Sequence, residues 1–124
     1  MSQRFPLKLS PVWRPILLLY GATASSSYVE VDGELVARLG WNRLAIPREE
    51  IEWARRDRWP WWGGVGFRSS LRGHVGVIGA LEPIVRVHLR RPRLTLLSIL
   101  PIQLRDVYVS VEDPDALIAA LRRG

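Results

Sequence analysis

The chain has 124 residues, 48% of them hydrophobic and 24% charged, with no cysteine and a net charge of +6. That length suits one domain able to bury roughly two thirds of its unfolded surface, and the mixture is that of a globular chain, not a disordered one. Without thiols there are no disulfides, thiolate metal centres or cysteine nucleophiles, and a reducing, cytoplasmic setting is permitted.

The charge is unevenly spread. Residues 1–57 hold eight basic and seven acidic groups, residues 58–105 hold eight arginines against Glu82 alone, and residues 106–124 hold two basic and four acidic groups. The three parts therefore carry +1, +7 and −2. Such asymmetry points to an anionic partner: nucleic acid, phospholipid headgroups or an acidic protein. Arginine outnumbers lysine seventeen to one, a bias that GC-rich coding also produces, so the basic half reads equally as function or as composition.

Taken in chain order, the N-terminus has the outline of a secretory leader: Arg4, Lys8 and Arg14, an apolar run, then Ala22 to Ala24. The run from Ile16 to Tyr20 is too short, because a leader needs about 7 to 15 apolar residues and a membrane span about 18 or more. Residues 1–26 are expected to pack on the core as an extension, within a single domain covering 1–124. "YVEVDGELVARLG" reads as a hairpin turning at Asp32 and Gly33. A third strand runs from Asn42 towards Pro47. "EEIEWARR" reads as a strand because it is short and lies between Pro47 and Pro60. Val75 to Ile78 form a short strand. "IVRVHLRRP" points Val85, Val87 and Leu89 inward and Arg86, His88 and Arg90 outward. "RDVYVSVED" buries Val107, Val109 and Val111. The period then changes: Asp113 is an N-cap, Pro114 opens a helix, and Leu117, Ile118 and Leu121 make its apolar stripe.

These elements predict a mainly β (α+β) fold, a bent antiparallel sheet or partly open barrel of about seven strands capped by one C-terminal amphipathic helix. The run from "YVEVDG" through "GWNRLAIPREEI" to "YVSVEDPDALIAAL" resembles the small bacterial pleckstrin-homology-like (PH-like) proteins. The resemblance implies a binding or scaffolding module, with no catalytic residues and no cofactor to carry over. The inositol-phosphate pattern of eukaryotic relatives, Lys-x-Lys/Arg-x-Arg near the first hairpin, is absent; Glu30, Asp32 and Glu34 stand there instead. Phosphoinositide binding by that loop is therefore not expected.

Arg86, Arg90, Arg91 and Arg93, with Arg68 and Arg72 from the preceding segment, are the candidate anion-contact face, since arginine forks suit phosphate and carboxylate. The alternative is a solvated outer sheet face. His74 and His88, without a nearby acidic pair, do not make a metal site. Glu49 and Glu50 lie in a turn, and no nucleophile elbow is present, so an enzyme is the least favoured reading. Of Trp59, Trp61 and Trp62 in "RWPWWGGVGF", two are expected to cap the open end of the barrel, with a contact loop or a ligand-pocket wall as alternatives. A small-ligand carrier needs a cavity of about 300 Å³ or more inside the barrel, and a core filled by Trp53, Leu39 and the helix stripe leaves none. Residues 93–104, apolar nearly throughout, are expected to fold inward as a buried strand or short helix, or else to form a dimer or membrane contact. The whole reads as a non-enzymatic module binding a protein or an anionic surface in the cytoplasm, with peripheral membrane contact open.

Overall fold

In the computed structural model, residues 3–19, 21, 23, 26–40, 42–59, 66–69, 74–97 and 100–122 are described, with backbone alone at 42, 66–69, 93–97 and 100–102. Alternation of apolar and polar residues yields strands in two sheets. The first is antiparallel, in the order β1 (Gln3–Pro6), β2 (Ser27–Val31), β3 (Glu34–Leu39) and β4 (Asn42–Pro47). The second takes β5 (Ile51–Asp57), β6 (Gly66–Ser69), β7 (His74–Ile78), β8 (Ile84–Leu97) and β9 (Leu100–Ser110) in the order β5-β8-β9-β7-β6. The mainly β class with a C-terminal helix therefore holds, but among the described residues the sheets do not close into a barrel. They meet at one corner, where Leu7 bridges Val111 and Lys8 N donates to Ser110 O at 2.8 Å.

Two features depart from the expected seven antiparallel strands. β1 and β6 are additional, each only four residues long and so too short to show a period. The β7–β9 pair is parallel, a direction that alternation alone cannot specify. β1 also draws the start of the chain into the first sheet, pairing Phe5 with Val29.

The inner faces of both sheets meet in one apolar cluster, with Leu35, Leu39 and Ile46 from the first and Val77, Val87 and Val109 from the second fully buried. Trp53 is not in it. A register irregularity between Ile51 and Trp53 turns the tryptophan outward and gives Ala54 the inward position. Gly40 (φ 59°) makes the turn from β3 to β4, where Leu39 pairs with Asn42; only glycine adopts that backbone without strain.

The C-terminal helix follows its sequence signals. A short helix, α1 (Arg14–Leu19), continues from a 3-10 turn at Pro11–Trp13 near the start of the chain, and α2 (Pro114–Arg122) closes the described chain. Asp113 Oδ1 accepts the Ala116 N–H at 3.1 Å, the expected N-cap. Leu117 is fully buried and Ile118 nearly so, while Leu121 is half-buried against the core. Arg48 donates to the Ala120 carbonyl at 2.9 Å, satisfying one of the unpaired carbonyls of the last turn. Arg56 pairs both Asp115 oxygens at 2.9 Å, tying the helix start to β5.

The stretch 93–104 is strand throughout its described length, which removes the helical option. β8 and β9 run on as a two-stranded ribbon, from Arg93 opposite Leu104 to Leu97 opposite Leu100. Leu104 is fully buried; the side chains of 93–102 lie outside the described residues.

Candidate binding face

Strand pairing in the second sheet lines up two rows of outward residues. One row reads Trp53, His88, Asp106 and His74 across β5, β8, β9 and β7. The next reads Arg55, Arg86, Tyr108 and Gly76, with Arg68 of β6 paired to Gly76. In β5, β7, β8 and β9 the alternate residues fill the core and so fix the side chains of these rows outward, while for Arg68 the backbone pairing alone is described.

Asp106 is the hub. Its side chain is only 4% exposed, and its Oδ1 accepts Nε of Arg86 at 3.0 Å and Nδ1 of His88 at 2.8 Å. Nε2 of His74 stands 3.5 Å from Oδ2. Burial pushes the Asp106 carboxyl up, but the hydrogen bonds and charges of Arg86 and His88 together outweigh it and hold the group below the ordinary carboxylate value. Arg86 also reaches Asp57 Oδ2 at 3.3 Å. A buried carboxylate is tolerable only when paired in this way.

Aromatic rings surround this network. The Trp53 indole stacks on the His88 ring, with centroids 4.8 Å apart and planes at 22°. The Arg55 guanidinium lies 4.5 Å from the Trp53 centroid, and that of Arg86 5.5 Å from both Trp53 and Tyr108. These are cation–π distances. Trp59 packs against Tyr108 at 5.3 Å and lies over Gly76, where a Cβ would fall 2.7 Å from its ring. Gly76 is therefore the seat of the Trp59 ring. Burial raises the Tyr108 hydroxyl above its ordinary value, so it stays protonated at neutral pH.

An open cleft of about 900 Å³ adjoins this face, lined by Trp53, Glu49, Glu52, Arg48, Arg90 and Arg122 among others. Arg90 donates to the Glu49 carbonyl at 3.0 Å and is otherwise exposed there.

The candidate arginines thus fall in different settings. Arg86 is committed to Asp106 and Asp57, while Arg90 and Arg91 are exposed. A register shift between His88 and Arg93 interrupts the outward alternation. The side chains of Arg68 and Arg93 lie outside the described residues, as does Arg72. Of the tryptophan group, Trp59 is half-buried on the outer face of the second sheet, and Trp61 and Trp62 lie outside the described residues. Sequence reasoning missed Asp106, the residue that joins the two histidines. Its signal was present: in "RDVYVS" Asp106 shares the outward parity of Tyr108.

Among the described residues, no group of three or more histidine, aspartate or glutamate side chains is placed to hold a metal ion. No helix among them is long and apolar enough to cross a membrane. Comparison of the chain with protein-family models, with curated proteins and with solved structures finds no match.

Proposed function

We propose that the chain is a non-enzymatic, PH-like binding module that engages an anionic surface through the outer face of its second sheet. The observation carrying this reading is the environment of Trp53, whose indole holds Arg55, Arg86 and His88 against it beside the cleft that Arg90 lines. Asp106 and Asp57 fix Arg86 in place against Trp53, so Arg86 holds the face in shape and leaves anion contact to its exposed neighbours. Arg55 and Arg90 remain exposed, each able to offer a fork to carboxylate or phosphate oxygens. A flat ring flanked by cations suits an extended anionic surface better than one enclosed ion.

A carrier using the interior has less support, because Leu39, Val87, Val109 and Leu117 belong to one buried cluster between the sheets. The test of the binding reading is retention of the purified protein on an anionic matrix and a neutral one across a salt series. Retention should fall steeply as salt rises, since screening shortens the Debye length to about 8 Å at physiological ionic strength. The Arg55→Gln/Arg90→Gln variant should be released at lower salt. Equal release of variant and wild type, or no retention at low salt, would contradict the proposal.

A further inference from the structure

Among the described residues, the large apolar side chains that stand exposed are Val12, Ile16, Leu18 and Leu19, at 42% to 78% exposure. All four fall in one segment, the 3-10 turn and α1, where Arg14 is the one charged residue between Pro11 and Leu19. At about 100° per residue, Val12, Ile16 and Leu19 share a stripe. Trp13 and Leu17 take the inner side, where Leu17 is buried and Trp13 packs on the core. A surface helix ordinarily turns polar residues outward; here the anchored element turns aliphatic ones outward. Beside it, Leu7, Leu9, Leu17 and Leu18 line a groove of about 770 Å³ together with Arg14 and Glu112.

We propose that this segment docks the protein on an anionic lipid bilayer, laying Val12, Ile16, Leu18 and Leu19 into the boundary between headgroups and acyl chains. Three observations favour lipid over another occupant. The exposed charged groups flanking the aliphatic residues along the chain, Lys8 and Arg14, are basic and match anionic headgroups. The four side chains expose on the order of 400 Å², the size of a functional patch on a monomer and about half of what each partner gives a stable protein interface. The six-residue helix is far too short to span a bilayer and suits an interfacial position. An apolar wedge joined to basic groups is the pairing of signals that stable peripheral attachment needs. None of these residues belongs to the Trp53 face, so the inference stands apart from the function proposed above.

The experiment is co-sedimentation with vesicles of phosphatidylcholine alone and with a phosphatidylglycerol fraction. Wild type should sediment with the anionic vesicles. The Val12→Ser/Leu18→Ser/Leu19→Ser variant should lose at least about 10-fold in partitioning, because insertion strength follows the apolar area buried. Its melting temperature should be unchanged, since it alters exposed residues only. Lys8→Gln/Arg14→Gln should weaken binding to the anionic vesicles alone, and Arg55→Gln/Arg90→Gln should still sediment. Wild type that ignores vesicles, or a triple variant that binds as well as wild type, would overturn the inference. Loss of vesicle binding in the Arg55/Arg90 variant alone would move the membrane contact to the sheet face and sustain that reading instead. A concentration-dependent dimer in sedimentation velocity, abolished by the triple substitution, would assign the patch to a second copy.

Discussion

His88 and Asp106 stand 18 positions apart in the chain, yet the β8–β9 ladder sets Nδ1 of the imidazole 2.8 Å from Oδ1 of the carboxylate. The same oxygen accepts Arg86, so one buried carboxylate orients both groups that pack on Trp53. The candidate face is assembled where alternating strands pair so that Trp53, His88, Asp106 and His74 fall in one row.

Replacing Asp106 should therefore damage more than one contact. Asp106→Ala leaves Arg86 and His88 without their buried partner and should destabilise by about 3 to 5 kcal/mol. Asp106→Asn, which keeps the shape and loses the charge, should cost about 1.5 to 3 kcal/mol. His74→Gln, altering a longer contact at a half-exposed ring, should cost under about 1 kcal/mol. Urea denaturation of the three variants checks the order.

The depressed Asp106 carboxyl sets a pH dependence. A group whose folded value lies below its unfolded one contributes stability above the unfolded value, here an ordinary 3.8, and loses it as pH falls through the folded value. Stability should decline below about pH 4 in wild type, and that part of the decline should be missing in Asp106→Asn. Denaturation midpoints measured from pH 2 to pH 6 decide it.

Trp59 and Gly76 form a matched pair. Gly76→Ala should destabilise by about 1 to 3 kcal/mol, since the new methyl must displace the indole. In the Trp59→Ala background the same change should cost much less. A thermal-denaturation cycle over the four proteins gives the coupling.

The helix offers a simpler test of packing. Leu117→Ala should cost about 2 to 5 kcal/mol because the side chain is fully buried. Asp113→Ala should cost about 1 kcal/mol through loss of the cap on Ala116 N. Equal losses at the two positions would argue against the docking of α2 on the core.

How much of this was legible in the sequence depends on which physical signal carries each feature. Burial on one face of a strand is written directly into alternation, so Val85, Val87, Leu89, Val107 and Val109 were read correctly. The N-cap at Asp113 and the stripe of α2 were also local and readable. Pairing is not local. Alternation places His88 and Asp106 outward on separate strands and says nothing of their register or of the parallel approach of β7 to β9. Trp53 was misplaced for a related reason, since a one-residue irregularity reverses which face a side chain takes. Arg86 reads in sequence as a solvated cation because the two carboxylates that hold it come from β5 and β9.

If an anionic surface is met at Trp53, the indole N–H resonance of that residue must respond to it. Titration of the 15N-labelled protein with a polyanion at low salt, with Trp53→Phe to assign the signal, follows the six tryptophans separately. The Trp53 signal should shift together with the backbone signals of Arg55 and Arg90, and added salt should reverse the shifts. A titration that leaves Trp53 unmoved while other signals shift, or that moves nothing at low salt, would contradict it.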